Sequence, residues 1–293
     1  MGPLTERIVE TFDHMPAQMR AAARYVLERP RDVALLSMRE QARQAEVKPA
    51  TMTRFAQRLG FDGYEAVRAL YADAIRSGGL GFAGKADAQV ARQKRSGDRA
   101  LASDMIASLK RQIERLEEPT TLDAIAEAAA MLASAERIFC LGLRACHPVA
   151  WNLQYVLSLL GERVILLDAV AGVGADPIRS ATAKDVLFAV SVEPYTRATI
   201  EAARYAVLSG LPVVALTDSA VSPLARIARR TILVSTEGPS FFHSMTPAFF
   251  AGEILAAIVA GRGGEDSLRA LRRSETQLQA FRVHWSPKDD RIA

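Results

Sequence analysis

The stretch Leu36 to Leu70, LSMREQARQAEVKPATMTRFAQRLGFDGYEAVRAL, decides how the N-terminal third folds. A short helix is expected from Met38 to Ala45, carrying Ala42, a side chain small enough for a second helix to cross closely over it. Glu46, Val47 and Lys48 then make a turn with Val47 as its buried plug. Pro49 opens a second helix at the first position, where its missing N–H costs nothing. Met52, Phe55 and Leu59 recur at i, i+3 and i+7 and are expected to face the core. The opposite face is expected to present Thr51, Thr53, Arg54, Gln57 and Arg58, with Lys48 just ahead of it. These residue types reach phosphates and base edges when a helix N-terminus enters the major groove of double-stranded DNA. The helix dipole favours the phosphate backbone at the same end. The spacing predicts a helix-turn-helix; the plainer alternative is a three-helix packing unit whose Arg and Gln side chains are merely solvated.

Outward from this motif, the chain up to about Arg76 is helical in pattern, with breaks at Pro30, near Lys48-Pro49 and at Gly60. The passages SGGLGFAG and QKRSGDR have little to bury, so residues 77–100 are expected to be an interdomain linker. Helix resumes from about Leu101 to Ala135. Beyond Glu136 come five short aliphatic runs, RIFCLGL, RVILLDA, VLFAVS, PVVALTD and TILVST, separated by segments of helical length. Runs apolar on both faces fit a parallel sheet covered on both sides, and the right-handed crossover rule favours a doubly wound α/β sandwich. The expected fold is thus an all-α helix-turn-helix domain (1–76), the linker, an α/β domain with a five-stranded parallel sheet (101–262) and a partly helical tail (263–293). Ligands in such sheets sit beyond the carboxyl ends of the strands.

The bulk numbers exclude several classes. With 49% hydrophobic residues in 293, the chain can form packed cores and is not a disordered protein. Lys plus Arg exceed Asp plus Glu by 37 to 33, a balance that permits nucleic-acid binding without demanding it. Only Cys140 and Cys146 are present, too few for a disulfide framework, and the N-terminus lacks a signal-peptide pattern, so a cytoplasmic location is expected. The apolar stretch from Phe241 to Ala260 is broken by His243, Pro247 and Glu253, so a buried helix is expected and no membrane role. Four histidines and two cysteines show no metal-ligand spacing, and neither a metal nor a cofactor is expected.

The N-terminal segment resembles the RpiR family of regulators, whose motif is matched at Leu36, Ala42, Val47, Ala50, Thr51, Arg54, Phe55, Leu59, Gly60, Phe61, Gly63 and Tyr64. Two departures stand out: Glu46 occupies the turn where that family has glycine, and Lys48 replaces a capping serine. From about Thr121 to Ala260 the chain resembles the SIS (sugar isomerase) domain. That resemblance implies a sugar-phosphate site built from a G-x-G-S/T-S loop after the first strand and an S-x-S-G-x-T loop after a later one. Here the loops read Gly142-Leu143-Arg144-Ala145-Cys146 and Ser191-Val192-Glu193-Pro194-Tyr195-Thr196. Cys146 stands where serine belongs, and Glu193 puts a carboxylate where a hydroxyl belongs, which repels a phosphate dianion. Arg144 offsets this as a fork donor.

Two readings stay open. Either Arg144, Ala145, Cys146, Ser191, Glu193, Tyr195, Thr196 and Arg197 bind an altered small-molecule effector, a sugar phosphate or sugar acid, or the domain serves dimerisation alone. Cys146 is expected to be a buried inert thiol, His243 a packing or interface residue, and Ser222 in Thr217-Asp218-Ser219 through Ser222-Pro223-Leu224-Ala225 a helix cap. The resemblance implies a transcription regulator, not an enzyme, working as a homodimer or homotetramer because one recognition helix buries too little surface for specific binding. The rivals are a phosphosugar isomerase-like enzyme, which lacks an intact phosphate cradle and a placed base, and a ligand-blind architectural DNA binder.

Overall fold

In the computed structural model, residues 4, 7–8, 11–78, 82–161, 163–168 and 174–285 are described; the expectations for residues 79–81 of the linker and 286–293 of the tail lie outside them. The chain divides into two compact units, Met1–Met105 with Pro239–Phe242, and Ile106–Gly238 with His243–Ala293.

In the first unit, helices α1 (Ala17–Glu28), α2 (Pro30–Leu35), α3 (Met38–Gln44), α4 (Pro49–Arg58) and α5 (Tyr64–Gly78) follow one another, then α6 (Phe82–Ser96). Proline at the first turn starts α2 and α4, and Ser37 caps α3 by accepting the Glu40 N–H at 3.3 Å. The first five helices enclose one core of Val26, Val33, Ala42, Val47, Met52, Phe55, Leu59, Tyr64 and Val67. Each large side chain buried there contributes about 1.5–3 kcal/mol.

The segment 77–100, expected to be a linker, is largely helical, since α6 occupies most of it. Alanine, lysine, glutamine and arginine dominate AGKADAQVARQKRS. They are strong helix formers and need no core partner to favour the helix locally.

The second unit starts with α7 (Asp98–Glu114), which straddles the division, and α8 (Pro119–Ser134). Then come β1 (Ile138–Gly142), α9 (His147–Ser158), β2 (Val164–Leu167), β3 (Val186–Val190), α10 (Arg197–Leu208), β4 (Val213–Thr217), β5 (Arg230–Leu233) and α11 (Thr246–Ala280). All strand pairs are parallel, in the order β2-β1-β3-β4-β5. Alternate side chains serve opposite faces. Ile138, Cys140, Phe188, Val190 and Val214 pack with α8, α9 and α11, whereas Phe139, Leu141, Leu187, Ala189 and Val213 pack with α10. The doubly wound sandwich expected from the five aliphatic runs is the observed fold. The helix expected over Phe241 to Ala260 starts only at Thr246 and runs on to Ala280.

Candidate nucleic-acid interface and effector site

The turn between α3 and α4 is set by backbone hydrogen bonds. The Glu46 N–H donates to Arg43 O at 3.2 Å and the Val47 N–H to Ala42 O at 2.9 Å, which closes a Schellman turn with Glu46 at φ 54°. A side chain at that φ carries the strain that glycine would avoid. Val47 is buried as the plug, and Lys48 precedes α4 without donating or accepting a side-chain cap.

α4 carries Met52, Phe55, Ala56 and Leu59 into the core and leaves Lys48, Arg54, Gln57 and Arg58 exposed on one side, with Thr53 half-buried among them. Thr51 departs from the expected face, being only 9% exposed. It lies four residues before Phe55 and so shares the core stripe of the helix. Arg58 donates to the His14 carbonyl at 3.0 Å, tying the last turn of α4 to the chain ahead of α1. The Thr53 hydroxyl faces the Met38 sulfur at 3.8 Å.

Behind this face lies a polar clasp that the spacing argument missed. Gln41 is 0% exposed; its amide donates to Val33 O at 2.9 Å and Leu36 O at 2.8 Å, and its carbonyl accepts the Tyr64 hydroxyl at 2.6 Å. One side chain thereby ties α2, α3 and α5 together. Burial pushes the Tyr64 hydroxyl far above its usual range, so it stays a donor at every physiological pH.

In the α/β unit, the loops after β1, β3 and β4 leave the same edge of the sheet, and the strand order reverses between β1 and β3. Gly142 ends β1 where no side chain fits, since a Cβ would meet Cys146 O at 2.5 Å and Ala150 Cβ at 3.0 Å. Arg144 follows at φ 58°, exposed, with Ala145 half-buried and Cys146 buried. Burial pushes the Cys146 thiol up, the Val192 N–H works against that rise, and the Asp218 charge adds to it. A thiol raised by burial is an inert one.

Ser191 is buried; its hydroxyl accepts the Thr196 N–H at 3.4 Å and its carbonyl accepts the Thr217 hydroxyl at 2.7 Å. Asp218 accepts the Glu193 N–H at 3.2 Å and the Tyr195 hydroxyl, while burial, then Asp218 itself, pushes that hydroxyl well up. Thr217 also hydrogen-bonds Ser222 Oγ at 3.1 Å, and Ser222 accepts the Ala225 N–H at 3.0 Å. Ser222 therefore has the capping geometry expected of it, although a run of turns follows it instead of a helix.

The structure thus brings Cys146, Ser191, Glu193, Tyr195 and Thr196 to one strand edge with Arg144 and Ala145. Arg197 is exposed and donates to Glu201 at 2.5 Å along its own helix, away from any shared contact with the loops. Asp218, absent from the expected site residues, is the side chain that organises the β3 loop. Its signal was its place as the first residue after β4. Among the described residues no group of three or more His, Cys, Asp or Glu side chains is arranged to hold a metal ion, and no helix is long and apolar enough to cross a membrane.

Residues 2–78 match the helix-turn-helix domain of the rpiR family, and residues 131–258 match the SIS domain. Along nearly its whole length the chain is 27% identical to the HTH-type transcriptional regulator HexR of Pseudomonas aeruginosa, covering 95% of this chain and 96% of that protein. The sugar isomerase domain of an RpiR transcription factor from Sphaerobacter thermophilus superposes with a TM-score of 0.55 at 27% identity, covering 60% of this chain and 98% of that one. The Vibrio vulnificus NanR protein, solved with ManNAc-6P, superposes with a TM-score of 0.54 at 22% identity over 94% of this chain and 98% of its own, a likeness of fold.

Proposed function

The chain belongs to the RpiR family of transcriptional regulators, with an N-terminal helix-turn-helix and a SIS domain, and from that premise we propose that it grips a DNA operator through α4 and senses a sugar-derived metabolite at the β1, β3 and β4 loops. In this reading residues 1–76 bind DNA, 77–100 connect, and 101–262 both sense the effector and pair the chains into a dimer or tetramer, with 263–293 as a tail. The observation that carries the DNA half is the exposed set Lys48, Arg54, Gln57 and Arg58 on a helix whose other side is fully packed. Two such helices, one from each chain of a dimer, read half-sites a helical turn apart.

The effector half rests on the loops and makes an ordinary phosphosugar a poor fit. NanR of V. vulnificus is described with one. Here the Glu193 N–H is occupied by Asp218 and the Thr196 N–H by Ser191. Pro194 has no N–H to offer, and the Glu193 carboxylate is itself exposed at the loop. An incoming phosphate meets negative charge and few free donors, with the Arg144 guanidinium as the main attraction. The same self-satisfied loops favour a second reading, a regulator that binds DNA without an effector.

Gel-shift titration with the chain's own upstream DNA, combined with a thermal-shift screen of sugars, sugar acids and sugar phosphates, tests both. Operator binding that a metabolite alters, together with stabilisation by that metabolite, supports the sensor. Operator binding with no response across the panel supports the ligand-blind regulator. Absence of sequence-specific DNA binding overturns both, and turnover of a sugar phosphate would install the enzyme instead.

A further inference from the structure

α11 does not continue straight. Gly264 adopts φ 51° and ψ −127°, outside the helical region, and at Gly263 a Cβ would run into the Ser267 hydroxyl. This glycine pair redirects the distal part of the helix. Ser267 and Ala270 are buried, and the Ser274 hydroxyl donates to Leu159 O at 3.0 Å, anchoring that part at the end of α9. Where the two meet lies an open cavity of about 510 Å³ lined by Leu160, Asp266, Arg269, Ala270, Arg272 and Arg273.

Three arginines line this concavity with one aspartate. Asp266 pairs with Arg269. Among the described residues Arg272 and Arg273 have no carboxylate partner. Arginines beside a helix C-terminus often serve its free carbonyls, but that role is already filled. Val156 O, Leu157 O and Ser158 O accept the N–H groups of Leu159, Leu160 and Gly161, and Leu159 O accepts Ser274. Two arginines without a carboxylate partner are left lining the cavity.

We propose that this cavity is a binding site for a small phosphomonoester, distinct from the β-strand loops. A phosphomonoester carries about −1.5 to −2 charges near neutral pH, matching the two unpaired guanidiniums, whose planar forks hold phosphate oxygens two at a time. A monocarboxylate leaves one guanidinium uncompensated. The volume lies in the range of small-molecule sites and exceeds what a bare phosphate fills, leaving room for an organic body against Leu160 and Ala270. The site does not depend on the effector reading of the loops.

Calorimetric titration of the full chain at fixed ionic strength, with glucose 6-phosphate, glucose and inorganic phosphate as probes, tests it. Glucose 6-phosphate is expected to bind, glucose not at all, and inorganic phosphate at least tenfold more weakly. The doubly substituted Arg272→Ala/Arg273→Ala chain should lose at least tenfold in glucose 6-phosphate affinity. Arg272→Lys/Arg273→Lys, which keeps the charge but not the forks, should fall between. Both residues are exposed, and circular dichroism verifies that the variants fold. Arg144→Ala should leave this binding intact, so loss of binding in that variant assigns the phosphate to the loops and overturns the proposal. No binding, or binding indifferent to Arg272 and Arg273, also overturns it. So does a loss of operator affinity in the double variant with no glucose 6-phosphate binding by the unmodified chain, which would assign the arginines to the DNA backbone.

Discussion

Arg54 is the residue on which the DNA reading can be tested most sharply. It is exposed in the middle of α4, between Phe55 in the core and the half-buried Thr53, so removing its guanidinium leaves the packing untouched. Arg54→Ala should weaken operator binding by roughly 1–3 kcal/mol if the side chain reads a base. An unchanged gel-shift midpoint would exclude it as a base contact. Gln41 is the contrasting case, with three hydrogen bonds and no exposure. Gln41→Leu strands two carbonyls and the Tyr64 hydroxyl, and should cost about 3 kcal/mol in urea unfolding. A loss under 1 kcal/mol would mean that water replaces the clasp. The sequence made Arg54 legible because a charged residue beside a core stripe has one place to go. Thr51 was misread because its hydroxyl resembles a phosphate contact while its spacing from Phe55 places it inside. Gln41 was illegible, since a buried amide differs from a solvated one only in partners that come from three separate helices.

At the level of elements, the strands were readable because buried parallel strands form unbroken aliphatic runs such as VLFAV, and the turn after α3 was readable from Val47. The helix over Phe82–Ser96 was not, because a charged, alanine-rich segment has the composition of a linker whether coiled or helical. The break in α11 at Gly264 escaped as well, since the part beyond it is tied by Ser274 to Leu159 O, a partner far away in sequence. The junction of β1 with α9 is the tightest of these joints. Gly142→Ala drives a methyl group into the Cys146 carbonyl and the Ala150 side chain, both fixed in the core. The α/β unit should lose about 1–3 kcal/mol of stability on that substitution. A melting temperature equal to that of the unsubstituted chain would show that the loop yields freely, and that Arg144 and Cys146 are less firmly placed than they look.

For the molecule as a whole, Asp185 is a buried carboxylate whose loss of charge weakens the fold in acid. Its carboxylate is 1% exposed and accepts from Arg137 at 3.1 and 2.9 Å and from the Thr182 N–H at 2.7 Å. Burial alone would raise its pKa; the Arg137 and Thr182 hydrogen bonds outweigh burial and hold it below the ordinary 3.8. A carboxyl lowered by folding stabilises fully above its unfolded pKa, and that contribution fades as pH falls through the lowered folded value. Asp185→Asn should therefore cost about 2 kcal/mol at pH 7. The gap to the unsubstituted chain should narrow as urea melts are taken down to pH 3. A gap that is constant with pH would mean that shape, not charge, holds Arg137 in place.

The division of labour within α4 has a consequence for descent as well as for binding. Its inner side, from Met52 to Leu59, and the turn closed by Val47 set where the helix stands, whereas Arg54 and Gln57 take no part in that packing. Substitutions at those two outward positions should alter folding stability by no more than about 0.5 kcal/mol. On the proposed reading of Arg54 and Gln57 as operator contacts, address and architecture are written in separate letters, and a duplicated copy of this gene is free to drift toward a new operator without first surviving a loss of fold.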